Sequence, residues 1–298
     1  MFKQLMDAHE MRDKLPSREW LVFDVRHDLA DHAAGRRAYE QGHIPGALFL
    51  DHETQLAAPK TGRNGRHPLP DLADFAALMR TQGLTRRAQV LVYDAGNGMF
   101  ASHLWWMLRW LGHESVAVLD GGWQAWLDAG GAVETGVNMP ALTEAQAVQG
   151  MHLPAQPSMP TVDAQQVLAN IQNPAFTLVD ARAANRYRGE TEPLDPVAGH
   201  IPGAVNRPAT LNVAEDGRFK PAAELRRDFD ALLAGKPATD IVHQCGSGIT
   251  ACHNLFAMEL AGLHGSALYH GSWSEWVSDP ARPVARSGQG GNGPPTGV

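Results

Sequence analysis

The chain has few cysteines, no excess of basic charge and no long apolar run. Each of these shortages excludes something. Cys245 and Cys252 are the only cysteines among 298 residues. Two thiols cannot build a disulfide framework or a cysteine-rich zinc site. Lysine and arginine number 25 against 32 acidic residues, a net charge of −7. That balance lacks the basic footprint of a general nucleic-acid binder. The most apolar stretch, Leu104 to Leu111, is short and contains Arg109. A bilayer span needs about 20 apolar residues, so no membrane partner is expected. The first residues mix charges and show no apolar core, so no secretory signal is expected. What is plentiful is hydrophobic content, 44%, enough for packed cores. These features describe a cytoplasmic protein in which one cysteine is free to do chemistry.

An internal repeat organises the chain. Gly-His-Ile-Pro-Gly-Ala occurs at Gly42–Ala47 and again at Gly199–Ala204, 157 positions later. Each copy follows an apolar run that ends in an acid and then an arginine, Arg26 or Arg182. Each is followed by a second apolar run, ending at Asp94 or Cys245, then a helical stretch and Gly121-Gly122-Trp123 or Gly271-Ser272-Trp273. The last pair is 150 positions apart, so the first half carries seven extra residues. They belong to the polar loop 57–67. Apolar runs at Val90–Tyr93, Val116–Leu119, Leu178–Val179 and Ile241–Val242 alternate with helical stretches. That order predicts an α/β fold with two tandem domains, each a mainly parallel sheet flanked by helices. The domains are expected at 1–134 and 161–286. A proline-bearing linker joins them at 135–160, and a Gly/Pro-rich disordered tail follows at 287–298. Ligands of parallel sheets sit beyond the carboxyl ends of the strands. That places Asp94 and Cys245 at the functional edge of their halves.

The segment from Asp240 to His253 carries the most chemistry. A strand ends, Cys245 follows, Gly246-Ser247-Gly248 turns, and a helix begins near Ile249. Loop amides and a helix N-terminus converge on the sulfur and favour thiolate. The glycines allow the close approach. Ser247 and Thr250 add hydroxyls. Cys252, seven residues on and without a glycine nearby, reads as core. A tyrosine-type phosphatase needs an arginine six residues after the cysteine; here that residue is Ala251, and the loop is tight for a phosphate. The remaining task for such a thiolate is to accept a sulfur atom and hold it as a persulfide.

The duplicated Gly-His-Ile-Pro-Gly-Ala, the paired Gly-Gly-Trp and Gly-Ser-Trp segments and a cysteine confined to the second copy resemble the tandem-domain rhodanese family of sulfurtransferases. The likeness runs from about Trp20 to Trp276. It implies two rhodanese-like domains, the first catalytically silent, with the site facing the cleft between them. The loop Cys245-Gly-Ser-Gly-Ile-Thr250 resembles the family's mercaptopyruvate form, whereas the thiosulfate form carries Arg and Lys after the cysteine. The resemblance implies sulfur transfer by double displacement through a Cys245 persulfide. The donor is a small anion, 3-mercaptopyruvate or thiosulfate. The acceptor is cyanide or a thiol such as thioredoxin or glutathione, and no cofactor is needed. A non-catalytic binding module is the rival reading, and the intact Cys245 loop counts against it.

The resemblance also assigns residues. Arg186 would bind the donor's anionic group, with Gly246, Gly248, Ile249 and Thr250 forming the cradle. His67, an upstream acid and Ser247 would make a Ser–His–acid arrangement; the acid is Glu53, with Asp51 two residues away as the other candidate. A second arginine that often precedes the family's Gly-His-Ile-Pro-Gly is missing from Thr191–Ala198. Arg207 is a candidate replacement. Arg182 is expected to pair with the acid before it and Arg188 to lie on the surface. His43 and His200 recur in both halves and read as structural; Trp105, Trp106 and Trp110 read as core. The histidines show no metal-ligand spacing, so no metal is expected.

Overall fold

A computed structural model describes residues 2–15, 20–140 and 157–287. Most of the expected linker, 141–156, and nearly all of the expected tail, 288–298, lie outside the described residues. The chain forms two parallel sheets. The first is 5-stranded: β1 (Leu5–Met6), β5 (Val116–Leu119), β4 (Gln89–Tyr93), β2 (Trp20–Asp24) and β3 (Leu48–Phe49), in that order across the sheet. The second is 4-stranded, with β7 (Val205–Asn206), β6 (Thr177–Asp180), β8 (Ile241–Gln244) and β9 (Ala267–Leu268). All strand pairings are parallel. Each expected apolar run falls within one of these strands, and their near-continuous burial is what two helix-covered faces require.

The two halves repeat each other in detail. Arg26 pairs with Asp24 at 2.6 Å, donates to the Gly42 carbonyl at 2.6 Å and lies over the Trp123 ring. Arg182 does the same with Asp180, Gly199 and Trp273. His43 stacks on Tyr39 and His200 on Tyr187, with ring centroids 4.0 and 3.9 Å apart. Each Nδ1 donates to the backbone carbonyl of the residue it stacks on, Tyr39 or Tyr187, at 2.7 Å. These histidines and the Arg182 pair hold the turns, as their recurrence implied.

The halves join through the helices Met99–Trp110 and Ile249–Leu260. Both are buried around nearly their whole circumference. Trp105 packs edge-on against Phe256 at 4.7 Å, and one continuous core spans both sheets. Burying a side chain such as Phe256 contributes about 1.5–3 kcal/mol. This explains why Leu104–Leu111 is apolar on nearly every side, with Arg109 the exception. Among the described residues no helix is long and apolar enough to cross a membrane.

Candidate active site

Strand β8 delivers Cys245 to the carboxyl edge of the second sheet. The loop then reverses through Gly248 in the left-handed region, φ +92°, and enters the helix Ile249–Leu260. A Cβ at Gly248 would stand 2.4 Å from the His270 carbonyl oxygen, so only glycine fits. The Gly-Ser-Trp segment pins the loop. Trp273 N–H donates to the Cys245 carbonyl at 3.0 Å and Ser274 N–H to the Gly246 carbonyl at 2.9 Å. Cys245 is buried, and Gly248 N–H points at its Sγ from 3.2 Å. Cys252 is buried one helical turn further on, where its thiol donates to the Gly248 carbonyl at 3.4 Å. Burial pushes that thiol well above the ordinary cysteine value, so it stays protonated.

The first half shows what the same fold does with an acid. Asp94 occupies the position of Cys245, and its carboxylate accepts N–H groups from Gly96, Gly98, Phe100 and Ala101 at 2.9 to 3.2 Å. The nest there is filled by the chain's own anion.

The loop expected to carry the extra residues crosses to the second domain. Arg66 N–H donates to Ser274 Oγ at 3.0 Å, and Ser278 Oγ donates to the Arg63 carbonyl at 3.2 Å. It brings His67 Nδ1 to 2.7 Å from Ser247 Oγ, while Nε2 lies 2.6 Å from Glu53 Oε1. Burial lowers the His67 pKa to about 4, and the bond to Glu53 opposes this only in part. Burial tends to raise that of Glu53, but bonds from Lys60 and His67 outweigh it and bring it to about 2. At neutral pH the imidazole is therefore neutral and the carboxylate charged. Glu53 can only accept, so Nε2 carries the proton and Nδ1 accepts from the Ser247 hydroxyl. Asp51, the other candidate acid, instead accepts the backbone N–H groups of Glu53 and Thr54 and shapes their turn.

Arg186 lies beside the cysteine loop, held by Glu192 at 2.6 Å and Asp195 at 3.5 Å. A second guanidinium joins it. Arg66 reaches across the cleft, bonds Asp195, and would meet a Cβ on Gly246 at 2.9 Å. Sequence reasoning passed over Arg66, although it directly precedes His67 in the loop flagged by the repeat offset. Arg207 goes elsewhere: it is buried over the Phe229 ring and bonds Asn212 and Asn254. Arg188 pairs with Glu190 in solvent. A cavity of about 240 Å³ brings Cys245, Gly246, Ser247 and Thr250 together with Arg66 and Arg186; Ile249 also lines it. Gly248 shapes it as the helix cap.

Comparison with known proteins shows the family. The rhodanese-like domain family matches twice, at residues 7–129 and 163–279. A probable 3-mercaptopyruvate sulfurtransferase of Pseudomonas aeruginosa is 46% identical, over 95% of this chain and 98% of that protein. A putative thiosulfate sulfurtransferase, SseB of Mycobacterium tuberculosis, is 40% identical over 89% and 90%. The crystal structure of the 3-mercaptopyruvate sulfotransferase SseA from Escherichia coli superposes with a TM-score of 0.76. It is 32% identical over 90% of this chain and 98% of that one. With a free cysteine nest in one half and the same nest filled by Asp94 in the other, the chain belongs to the rhodanese family and is a sulfurtransferase built from two rhodanese-like domains.

Proposed function

We propose that the chain moves sulfur from 3-mercaptopyruvate to cyanide or a thiol acceptor through a persulfide on Cys245. The Cys245 thiolate attacks the donor's sulfur. An S–S bond forms, the C–S bond breaks, and its electron pair stays on the pyruvate carbon. The proton lost by the donor's thiol equals the proton gained by that carbon. Ser247, backed by His67 and Glu53, is the hydroxyl placed to pass it. Arg186 and Arg66 hold the donor's carboxylate. In the second displacement an acceptor such as glutathione or thioredoxin takes the outer sulfur and restores the thiolate. No cofactor enters, and the reduced thiol chemistry suits the cytoplasm.

Asp94 supports the persulfide reading by example. Its carboxylate oxygens stand two bonds beyond Cβ, where the outer sulfur of a cysteine persulfide would stand, and four amides meet them. The corresponding amides in the second half, those of Gly248, Thr250 and Ala251 among them, would stabilise the persulfide anion in the same way.

The observation that carries the donor choice is the neutral loop Gly246-Ser247-Gly248 with its hydroxyl 2.7 Å from His67. The two arginines beside it are matched by Glu192 and Asp195, so the site suits one negative charge better than two. The paired guanidiniums are also what favours the second reading, thiosulfate as donor. Steady-state kcat/KM for both donors on the same preparation tests the choice. A higher value for mercaptopyruvate is expected, and a clear thiosulfate preference would overturn it.

A further inference from the structure

The sequence holds His27, His32 and Glu53 apart, and the fold brings them together. His27 follows the end of β2, His32 lies in the next turn, and Glu53 lies in the turn after β3. Their potential ligand atoms all lie within 4.8 Å of one another. The His32 Nδ1–Glu53 Oε1 edge is already 3.6 Å. The His27 ring lies 5.5 Å from that of His32, and its Nε2 is buried without a hydrogen-bond partner. Ring nitrogens of His52, His103, His113, His243 and His270 are likewise unpartnered, but among the described residues only at His27 do a second imidazole and a carboxylate stand within ligand reach.

We propose that His27, His32 and Glu53 form a binding site for a divalent transition-metal ion of the zinc class. Two imidazoles and a carboxylate are the donor set such ions take, with water completing an open tetrahedron. Zn–N and Zn–O bonds of about 2.0–2.1 Å put neighbouring ligands about 3.3 Å apart. The cluster must therefore contract by an ångström or so. His32 is exposed, so its ring is free to make that movement. The present counter-ion, Lys60 at 2.6 Å from Glu53 Oε2, is half exposed and free to swing away from an arriving cation. Asp28 and Asp51 add negative charge around His27.

The site has a consequence for the sulfurtransferase centre, and this part rests on the Ser247–His67–Glu53 reading above. Glu53 Oε1 is the acceptor that holds His67 Nε2 at 2.6 Å, so a metal on Glu53 competes for the oxygen that orients the imidazole behind Ser247. Occupancy would loosen the bond that aims His67 at Ser247 and slow the step that passes through that pair.

The test uses the full chain with Cys245→Ala, which removes the competing thiolate, and zinc chloride alone as the probe. Titration calorimetry should show a site of one zinc per chain. Removing even an outer partner of a metal ligand costs about ten- to a hundredfold in affinity. His32→Ala in the same background should therefore weaken binding by at least about tenfold, and being exposed it leaves the fold alone. Absence of binding, or equal binding with and without His32, would overturn the site. In the same protein the imidazole proton between His67 and Glu53 is followed by NMR during the titration. A shifted or lost resonance supports the coupling. Zinc bound through His32 with this proton unmoved would leave the metal site standing and overturn the link to His67.

Discussion

Arg66 and Arg186, one from each half of the chain, converge on the single carboxylate of Asp195 beside the Cys245 loop. The anion-binding part of the site is thus built by both domains, although only the second carries the cysteine. Losing either guanidinium removes a charge-assisted hydrogen bond, worth about 1.5–3 kcal/mol. Arg66→Ala and Arg186→Ala should each lower kcat/KM about ten- to a hundredfold for both donors. Arg207→Gln should lower the melting temperature instead, because Arg207 packs over Phe229 and not in the cavity. Steady-state kinetics and calorimetry on the three variants separate these outcomes. An Arg66 variant with wild-type donor kinetics would show that Arg186 suffices.

Cys245→Ser should abolish transfer and Cys252→Ser should retain most of it. Gly248 N–H points at one sulfur, whereas the other is a buried, protonated donor to the Gly248 carbonyl. Intact-mass measurement after donor treatment should find one added sulfur on the wild type and on Cys252→Ser, and none on Cys245→Ser. Equal loss of activity in both variants would sink the assignment.

The repeat, the parallel α/β class and the Cys245 loop were legible because each rests on local signals: repeated turns, apolar runs, and glycines at a strand–helix junction. The Asp24–Arg26 and Asp180–Arg182 pairs were legible for the same reason. Arg66 was not, because its role depends on where a loop lands in the other domain. Arg207 failed as a replacement cation through packing: the chain after β7 turns it inward to Asn212 and Asn254. The choice of Glu53 over Asp51 also needed coordinates, since both sit in one turn and only backbone geometry decides which faces His67.

The Ser247–His67–Glu53 line should matter more for one donor than for the other. Attack on thiosulfate expels sulfite, which needs no proton, whereas attack on mercaptopyruvate leaves a carbon that must gain one. General acid–base help is worth about 10²–10⁴-fold. His67→Ala and Ser247→Ala should therefore cut mercaptopyruvate kcat by about a hundredfold or more and spare thiosulfate. The double variant should be little worse than either single one, as expected for groups acting as a unit. Equal losses with both donors would assign these residues to structure rather than to proton transfer.

Acid should destabilise the fold steeply. His67 and His253 are held near pKa 4 by burial, His243 and His270 near 3, and His52 and His103 well below the ordinary value. In the unfolded chain each titrates near 6.5. Between about pH 6.5 and 4 the unfolded state binds more protons than the folded one, so stability falls as pH falls. Each histidine contributes up to about 1.4 kcal/mol per pH unit across that window. The melting temperature should be nearly flat above pH 7 and drop sharply by pH 5. A level profile from pH 7 to 5 would show that these rings are not buried neutral.

Asp195 sets how much positive charge the donor meets. It bonds Arg66, lies 3.5 Å from Arg186, and is itself buried. Glu192 offsets Arg186 from the other side at 2.6 Å. With both acids present the two guanidiniums are nearly balanced, which suits a monoanionic carboxylate. Asp195→Asn keeps the shape and removes one negative charge. A dianion gains twice what a monoanion gains from that change. A unit charge at about 4 Å is worth about 1 kcal/mol in a water-like medium and several times that near a protein surface. The thiosulfate-to-mercaptopyruvate ratio of kcat/KM should therefore rise by about fivefold or more. Releasing the arginines acts against this by letting them move, and that loss falls on both donors alike, so it cancels in the ratio. A ratio that stays fixed, or moves toward mercaptopyruvate, would show that Asp195 positions the arginines without tuning their charge.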